Sequence, residues 1–279
     1  MKNLSDAQLA FYKEQGYIVV DDVLPKENLD AIARSIRRIV RFHIRKAQKI
    51  HDSMPEIPEG REFSDGMAAL DAVDHSHIAE IYDTLLSTPE GFRLTSRPRI
   101  TRMVNQLLGD DPEAPLFATQ CGVLLFMPRD AEHWYTWHKD TFYTVPESTF
   151  VQLWAPVVED STVDLGTVKI CPKSHKAGWR EQIDVAKDGR QPRYRYQVSD
   201  SAVAKYEPID VPVRLGQVLL FDPGMIHRSG NNTSDTCRFT LLGFFHQIEN
   251  ERFRPLLLRQ AYVGKTPDQY FAELFGVDV

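Results

Sequence analysis

Two histidines and one aspartate have the side chains and the spacing to hold a divalent metal ion. His138 and Asp140 lie two positions apart, and residues i and i+2 of a β-strand project from the same face. His227 lies far enough along the chain for several strands to run out and back between the two histidines. Two imidazoles and a carboxylate on one face of an octahedron leave open positions, an arrangement associated with iron(II) oxygenases. These three residues are therefore a candidate iron site.

Arg238 is a fourth candidate, on the strand predicted after His227. A histidine and an aspartate at this spacing occur by chance in many proteins, so that pair alone is weak evidence. A buried guanidinium carries a planar fork of donors that suits a carboxylate. 2-Oxoglutarate needs such an anchor at one end, while its 1-carboxylate and 2-keto oxygen would chelate the iron. Arg238 thus points to 2-oxoglutarate as co-substrate.

The elements that must position these residues are short β-rich segments in the second part of the chain. They are separated by Pro, Gly, Asp and Asn, which are typical of turns. Many short strands with turn signals indicate a sandwich or a barrel, not a parallel α/β sheet. The predicted strands include residues 123–126, 150–154, 167–170, 217–221 and 239–245.

The N-terminal region is predicted to be helical with one strand. Ser5 to Gln15 has the pattern of a helix that is capped by Ser5 and ended by Gly16, and residues 17–20 are β-rich. Pro25 would begin a second helix. The remaining predictions are a loop at 51–63 and helices at 68–86 and 98–108.

Length and composition exclude several classes of protein. The 279 residues include 42% hydrophobic and 26% charged residues, which is ordinary for a globular protein. The net charge of −6 argues against partners such as nucleic acid or an anionic membrane surface. No apolar stretch resembles a signal peptide or a transmembrane helix, so we expect a cytoplasmic protein. We expect one domain over residues 1–279, helical over about 1–115 with a β core over about 116–250.

The three cysteines are odd in number and widely spaced, which argues against a disulfide framework or a zinc motif. Free cysteines are among the most buried residue types. Cys121, Cys171 and Cys237 are therefore predicted to be ordinary buried thiols.

Longer stretches of sequence surround the candidate residues, and some have recognisable patterns. Residues 11–25 (FYKEQGYIVVDDVLP) contain Gly-Tyr followed by an aspartate-rich turn, and residues 170–175 (ICPKSH) form a Pro-Lys-Ser-His turn. Together with residues 137–140, 151–156, 216–221 and 227–238, they resemble the phytanoyl-CoA dioxygenase family of iron(II)/2-oxoglutarate oxygenases. The resemblance covers nearly the whole chain, and residues 45–115 are the least characteristic.

The resemblance implies a fold and a set of roles. The fold would be mainly β with flanking helices: a double-stranded β-helix (jelly roll, cupin-like) core with N-terminal helical elements. The three candidate metal residues fall on the family's iron ligands, and Arg238 falls on its 2-oxoglutarate-binding arginine. Ser229 and Trp154 fall on positions that commonly line the co-substrate pocket. The implied cofactors are Fe(II), 2-oxoglutarate and O2. Lys173 departs from the family, which usually has glycine at that position of the turn.

The resemblance also implies a class of reaction. Related halogenases have a small residue in place of the carboxylate, which makes room for chloride, whereas this chain has Asp140 there. We therefore expect oxidation of an unactivated C–H bond, usually hydroxylation, with release of succinate and CO2. Desaturation or ring closure would use the same residues with a different substrate pose. The expected substrate is a small polar metabolite or a biosynthetic intermediate, and the oligomeric state is left open.

The other histidines are not predicted to bind the metal. His175 could be a ligand, but it lies in a turn, where a hydrogen-bonding role is favoured. His133 precedes the metal motif by an odd number of residues, so in a strand it would face away. His75 and His77 are two positions apart in a predicted helix and would not share a face. His246 has no assigned role.

Three further groups of residues could reach a substrate. Aromatic residues around the metal motif are expected mainly to pack in the core, although one or two could wall the pocket: Trp134, Tyr135, Trp137, Phe142 and Tyr143. The polar segment 188–208 could be a lid that captures an anion, but a solvated loop is the default for its cations, Arg190, Arg193, Arg195 and Lys205. Gln120 and Gln152 could contact the co-substrate, but a one-residue slip in register would turn them away.

Two other functions remain possible on the same scaffold. A metal-dependent isomerase or hydrolase would need no 2-oxoglutarate and would tolerate the loss of Arg238. A non-catalytic protein would bind 2-oxoglutarate or iron without turnover. The second alternative is disfavoured because all the required catalytic positions are filled.

Overall fold

The computed structural model describes residues 3–130, 136–140, 149–177, 183–185, 196–250 and 253. The helices are α1 Asp6–Gln15, α2 Lys26–Ile50, α3 Met67–Val73, α4 Ser76–Leu85, α5 Pro89–Thr95, α6 Pro98–Leu108 and α7 Asp200–Val203. The strands are β1 Tyr17–Val20, β2 Leu116–Phe126, β3 Phe150–Pro156, β4 Val168–Ile170, β5 Ile183–Val185, β6 Tyr196–Val198, β7 Ile209–Asp210, β8 Val218–Phe221, β9 His227–Ser229 and β10 Arg238–Gln247.

Local sequence signals fix the ends of α1. The Ser5 side chain accepts a hydrogen bond from the Gln8 backbone N–H, and the Gln8 side chain accepts one from the Ser5 backbone N–H. This reciprocal capping box satisfies N–H groups that a helix otherwise leaves unpaired. Gly16 ends the helix with φ of 83°, a left-handed conformation that favours glycine. The predicted helix boundaries are confirmed here, and β1 follows immediately.

The predicted helix at 68–86 is instead two helices, α3 and α4. The break falls at Asp74 and His75, where the Asp74 carboxylate accepts a hydrogen bond from the backbone N–H of Ser76 at 2.9 Å. A short polar side chain that binds its own backbone competes with the helical hydrogen bonds. Two further differences lie nearby: the loop predicted at 51–63 runs into a π-helical turn at Glu62–Gly66, and α5 was not predicted.

The strands form a five-stranded antiparallel sheet and a smaller three-stranded one. The large sheet has the order β1-β8-β3-β10-β2, and the small sheet has the order β7-β4-β9. A separate hairpin pairs β5 with β6. Neighbouring strands of the large sheet are far apart in sequence. This is the expected double-stranded β-helix, so the predicted jelly-roll core is confirmed.

The large sheet is buried on both faces, and this decides where a site can form. On β3, Val151, Leu153 and Ala155 point into a core shared with the helices. The alternate residues Phe150 and Trp154 point into a second core, which they share with residues of the small sheet. Successive side chains of a strand point to opposite faces of the sheet, so neighbouring residues of β3 belong to different cores. The space between the two sheets is therefore lined by one face of each.

Within the described part of the chain, none of the helices combines the length and the apolar character needed to cross a bilayer.

Candidate metal centre and adjoining cavity

His138 and His227 lie side by side on neighbouring extended segments. They form an antiparallel β-bridge, in which each backbone N–H donates to the other's carbonyl oxygen at 3.0 Å. His227 also begins β9 and pairs with Ile170 of β4. The centroids of the two imidazole rings are 4.3 Å apart. Backbone pairing thus holds the two histidines together across a long stretch of sequence.

Asp140 completes a group of three potential metal ligands. One carboxylate oxygen lies 3.8 Å from His138 Nε2 and the other lies 3.2 Å from His227 Nε2. The three ligand atoms are all within 4.8 Å of one another. Ligands bound to one ion at about 2.0–2.2 Å must lie about 3 Å or more apart, so these separations suit a shared ion. All three side chains are buried. The predicted set therefore converges in space.

Hydrogen bonds to the backbone orient both imidazoles. The Thr136 carbonyl accepts from His138 Nδ1 at 2.8 Å, and the Met225 carbonyl accepts from His227 Nδ1 at 2.9 Å. With the proton on Nδ1, the Nε2 lone pair of each ring is directed at Asp140, as in many metal sites. Burial, together with the neighbouring His227, lowers the pKa of His138 to about 4. His138 is therefore neutral at pH 7, the state that binds a divalent metal.

Arg238, the first residue of β10, is fully buried. Its guanidinium donates to Ser229 Oγ at 3.2 Å and to the Leu165 carbonyl oxygen at 3.5 Å. The guanidinium carbon lies 4.1 Å from the ring centre of Phe126 and 5.8 Å from that of Trp154. A cation taken out of water costs several kcal/mol unless an anion compensates it. The aromatic and hydroxyl surroundings therefore suit the carboxylate of a small acid.

One cavity of about 640 Å³ extends from the candidate metal ligands to Phe126, a residue that contacts Arg238. It is lined by all three candidate ligands and also by Ser229 and Trp154, the two predicted co-substrate contacts. This volume is within the usual range for small-molecule sites, about 300–1,000 Å³. Five of the six side chains predicted from the sequence thus face this cavity, and the sixth, Arg238, contacts the lining residues Phe126, Trp154 and Ser229.

A β-bulge turns two consecutive residues of β2 towards the cavity. Gln120 and Cys121 stand opposite the single residue Gly243 of β10, and Gln120 has φ of 50°. Consecutive residues of a regular strand face opposite sides, but a bulge re-aims them. Both residues line the cavity. The sequence left the direction of Gln120 open. The prediction of ordinary buried thiols is confirmed for Cys171 and Cys237 but is wrong for Cys121, which is half-buried.

The helices supply a wall of the cavity that the sequence did not predict. Tyr82 from α4, Leu86 and Ser87 after it, and Phe92 from α5 line the cavity. Gly122 of β2 allows this close approach, because a Cβ at that position would overlap the backbone of Leu86. A glycine inside a strand often marks such an approach of another backbone. The strand predicted from the sequence began at residue 123, just after Gly122, so this signal was missed.

Gln152 is the other glutamine whose direction the sequence left open. It lies on β3, lines the cavity, and is 3% exposed. Its Oε1 atom is buried and has no hydrogen-bond partner among the described residues. Buried polar atoms usually have a partner. Gln152 is therefore placed to accept a hydrogen bond from a molecule in the cavity.

Other predicted contacts lie away from the cavity. Trp137 packs under the guanidinium of Arg228, with 4.9 Å between its ring centre and the guanidinium carbon. His175 hydrogen-bonds through Nε2 to the carbonyl oxygen of Lys13 at 3.2 Å, so its predicted role in supporting the turn is confirmed. Lys173 has φ of 69°, which explains why glycine is usual there. The predictions for Trp134, Tyr135, Phe142, Tyr143, His133, Arg190, Arg193 and Arg195 lie outside the described residues.

The fold and the site define a class of protein: a jelly roll with a buried His-Asp-His group in a cavity between its sheets. The sequence profile of the phytanoyl-CoA dioxygenase (PhyH) family matches residues 12–240. The chain belongs to this family, which confirms the resemblance read from its motifs. This is a family of 2-oxoglutarate-dependent non-haem iron dioxygenases, and the buried group of His138, Asp140 and His227 fits the iron.

Known proteins with similar sequences or structures agree with this class. The L-proline trans-4-hydroxylase of Streptomyces griseoviridis is 26% identical over 185 residues, which are 59% of this chain and 65% of that enzyme. A structure of the epimerase SnoN in complex with Fe3+, alpha ketoglutarate and nogalamycin RO has a TM-score of 0.56 at 17% identity, covering 94% of this chain and 92% of the other. The alpha ketoglutarate dependent carbocyclase SnoK from nogalamycin biosynthesis has a TM-score of 0.55 at 21% identity, covering 88% of this chain and 84% of the other.

Proposed function

We propose that this enzyme hydroxylates an unactivated C–H bond of a small metabolite or biosynthetic intermediate, releasing succinate and CO2. The observation that carries the proposal is the convergence of three buried ligand atoms, within 4.8 Å of one another, in the same cavity as the surroundings of Arg238. We also propose that the enzyme acts as a single domain in the cytoplasm.

In this proposal His138, Asp140 and His227 hold the iron. Two neutral imidazoles and one carboxylate are the donor set that non-haem iron(II) oxygenases use. The backbone hydrogen bonds at Nδ1 keep each Nε2 lone pair directed inward. Iron with bound 2-oxoglutarate supplies the oxidising power for cleavage of a C–H bond. Asp140 fills the position that a halogenase leaves for chloride, which favours transfer of oxygen.

Arg238 would bind the distal carboxylate of 2-oxoglutarate, with Ser229 and Trp154 beside it. The hydrogen bond to Ser229 Oγ orients the guanidinium, and the faces of Phe126 and Trp154 keep water away from it. A charge-assisted hydrogen bond is stronger in such a dry site than in water. Gln152, with its buried Oε1, would contact a donor group on either the co-substrate or the substrate.

The substrate would lie between the metal group and the helical wall. Tyr82, Leu86 and Phe92 give that wall an apolar surface, while Ser87 and Gln120 add polar groups. The wall and the bulged strand would position one C–H bond towards the metal and exclude water from the reacting atoms. A small molecule with both an apolar part and a polar part fits this lining.

The proposal is tested by incubating the enzyme with Fe(II), ascorbate, 2-oxoglutarate and 18O-labelled O2 in the presence of candidate metabolites. Small amino acids are the first candidates, because a relative is named an L-proline hydroxylase. Hydroxylation predicts succinate in proportion to a product that is heavier by one labelled oxygen atom. A product lighter by two hydrogens would indicate desaturation or ring closure instead of hydroxylation. A product of unchanged mass would indicate epimerisation. Neighbours named an epimerase and a carbocyclase make these outcomes worth measuring.

The alternative functions make a different prediction for the same assay. A metal-dependent isomerase or hydrolase would convert its substrate without consuming 2-oxoglutarate. A non-catalytic binding protein would bind the co-substrate without releasing succinate under any substrate screen. Turnover that continued unchanged after 2-oxoglutarate was omitted would contradict the proposal.

A further inference from the structure

A second histidine cluster lies between two helices, away from the jelly roll. His43 of α2 and His77 of α4 approach with their Nδ1 atoms 3.2 Å apart. Glu80, three residues after His77 and therefore on the same face of α4, places a carboxylate oxygen 3.6 Å from His43 Nδ1. The ligand atoms of these three residues lie within 4.8 Å of one another. The chain thus carries a second set of two imidazoles and one carboxylate.

The distances suit coordination of a metal ion as well as a hydrogen bond between the rings. Tetrahedral or octahedral ligands bound at about 2.0–2.2 Å are separated by about 3.0–3.5 Å. The distance of 3.2 Å between the two Nδ1 atoms lies in this range, and the distance of 3.6 Å from Glu80 to His43 lies just above it. An ion between the rings would accept the lone pairs of both nitrogens.

Both histidines are buried, and one ring nitrogen of His77 has no hydrogen-bond partner among the described residues. His43 is 5% exposed and His77 is 3% exposed. His77 Nε2 is buried and has no hydrogen-bond partner among the described residues. His51 and Asp74 lie close by, with their ligand atoms within 4.8 Å of a ring nitrogen of His77. An unpartnered ring nitrogen in a buried site costs free energy. A metal ion bound at Nδ1 of His77 would fix the proton of that ring on Nε2.

The surroundings keep the His43 ring neutral and leave a path to solvent. Burial lowers the pKa of His43 from its usual value, so its ring is a lone-pair donor at neutral pH. His43 lines a groove of about 590 Å³ that is open to solvent and is also lined by Arg34 and Arg38. Lys46 Nζ forms an ion pair with a carboxylate oxygen of Glu80 at 2.9 Å. The Lys46 side chain is 39% exposed and can move into solvent. The carboxylate is therefore available to a divalent ion.

We propose that His43, His77 and Glu80 form a second, structural metal site for a transition metal ion such as Zn²⁺, with solvent as the fourth ligand. The ion would link α2 to α4. Because α4 also carries Tyr82, which lines the cavity of the jelly roll, the ion would hold the helical wall in place. This site is independent of the proposed reaction and of the iron.

The experiment measures Zn²⁺ binding in a protein whose other candidate site is disabled. The full-length double variant His138→Ala/His227→Ala, stripped of metal, is titrated with Zn²⁺ alone, and bound zinc is counted after desalting. We expect one equivalent, and a rise in Tm of several degrees at saturating zinc, since a ligand that binds only the folded state stabilises it. Adding Glu80→Gln or His43→Gln should weaken the zinc Kd at least about tenfold and remove the rise in Tm.

Controls separate coordination from damage to the fold. His75→Gln alters an exposed histidine next to α4 and should leave the zinc Kd unchanged. Glu80 is half-exposed, so Glu80→Gln should fold normally even if a change at the buried His43 does not. The proposal is overturned if the double variant binds no zinc at micromolar concentration, or if Glu80→Gln binds it as tightly as its parent. Loss of binding in His51→Gln but not in His43→Gln would also overturn it, because the ion would then belong to His51, Asp74 and His77.

Discussion

The β core and the helical region face the same cavity but contribute different chemistry. The core supplies charged and polar groups, namely the candidate iron ligands, Arg238 and Ser229, and most of these lie on paired strands. The helical region supplies a wall that is mostly apolar, from Tyr82 to Phe92. Residues 45–115, which include this wall, are also the part of the sequence with the weakest family resemblance.

Under the proposed function, this difference indicates that the core binds iron and 2-oxoglutarate while the helical wall selects the substrate. The groups proposed to bind iron and 2-oxoglutarate serve a chemistry that many enzymes share, and they lie on the β core that defines the fold. Groups that select a substrate differ from one enzyme to the next. Substitutions in the core should therefore reduce turnover of any substrate, whereas substitutions in the helical wall should change which substrate is used.

The largest effect is expected from Asp140→Ala. Removing one of three metal ligands should lower succinate formation by more than about a hundredfold, because even the loss of an outer contact to a metal costs about 10- to 100-fold. Iron content after reconstitution should fall in parallel. Asp210→Ala, a change to a half-buried aspartate on β7, is the matched control and should retain both activity and iron. Full turnover by Asp140→Ala would remove Asp140 from the iron site.

Arg238→Ala should mainly affect the co-substrate. Loss of a buried charge that pairs with a carboxylate costs about 2 kcal/mol or more, which is a rise of about thirtyfold in the KM for 2-oxoglutarate. Arg238→Lys keeps the charge but loses the planar fork, so its KM should be intermediate. Arg214→Ala changes an exposed arginine and should have no effect. An unchanged KM in both Arg238 variants would assign the anchor to another residue.

Gly122→Ala tests the contact between core and helical wall. A methyl group at this position would overlap the backbone of Leu86, and such overpacking costs about 1–3 kcal/mol. Thermal unfolding should occur a few degrees lower, and the KM for the substrate should change more than the KM for 2-oxoglutarate. Ala118→Ser, at an exposed position of the same strand, is the control. Equal changes in both KM values would contradict the division between the two regions.

The smallest effect is expected from Ser229→Ala. The hydroxyl accepts one hydrogen bond from Arg238, and a typical hydrogen bond contributes about 0.5–1.5 kcal/mol. The KM for 2-oxoglutarate should therefore rise about 2- to 10-fold while kcat changes less. Ser201→Ala, on an exposed turn of α7, should change neither. A larger loss in Ser229→Ala than in Arg238→Ala would mean that the hydroxyl contacts the co-substrate directly.

Short-range signals made part of the fold predictable. The capping box at Ser5 and the left-handed Gly16 are read from neighbouring residues, so both ends of α1 were placed correctly. The β-rich segments were also found, because apolar β-branched and aromatic runs between turn residues are a local pattern. The metal group was predicted from three residue types and the family resemblance, without knowledge of which strands pair.

Features that depend on contacts between distant segments were not predictable in the same way. The bulge at Gln120 and Cys121 exists because β10 has one residue fewer at that point, which neither strand reveals alone. The contact between His43 and His77 joins two helices whose packing is set by their apolar faces, not by the histidines. The break at Asp74 depends on a hydrogen bond from the backbone N–H of Ser76 to the Asp74 carboxylate, which competes with the hydrogen bonds of a continuous helix. In each case the structure depends on interactions that the local sequence pattern alone does not determine.

The pairing of β1 with β8 also affects how the chain can fold during synthesis. Tyr17 pairs with Phe221, so the partner of β1 is synthesised only about 200 residues after it, and such long-range contacts slow folding. Until then the strand has unpaired backbone groups that could pair with another chain. Nascent chains truncated before β8 should therefore aggregate more readily than those that include it. The helix α1, whose capping is local, can form long before the sheet closes.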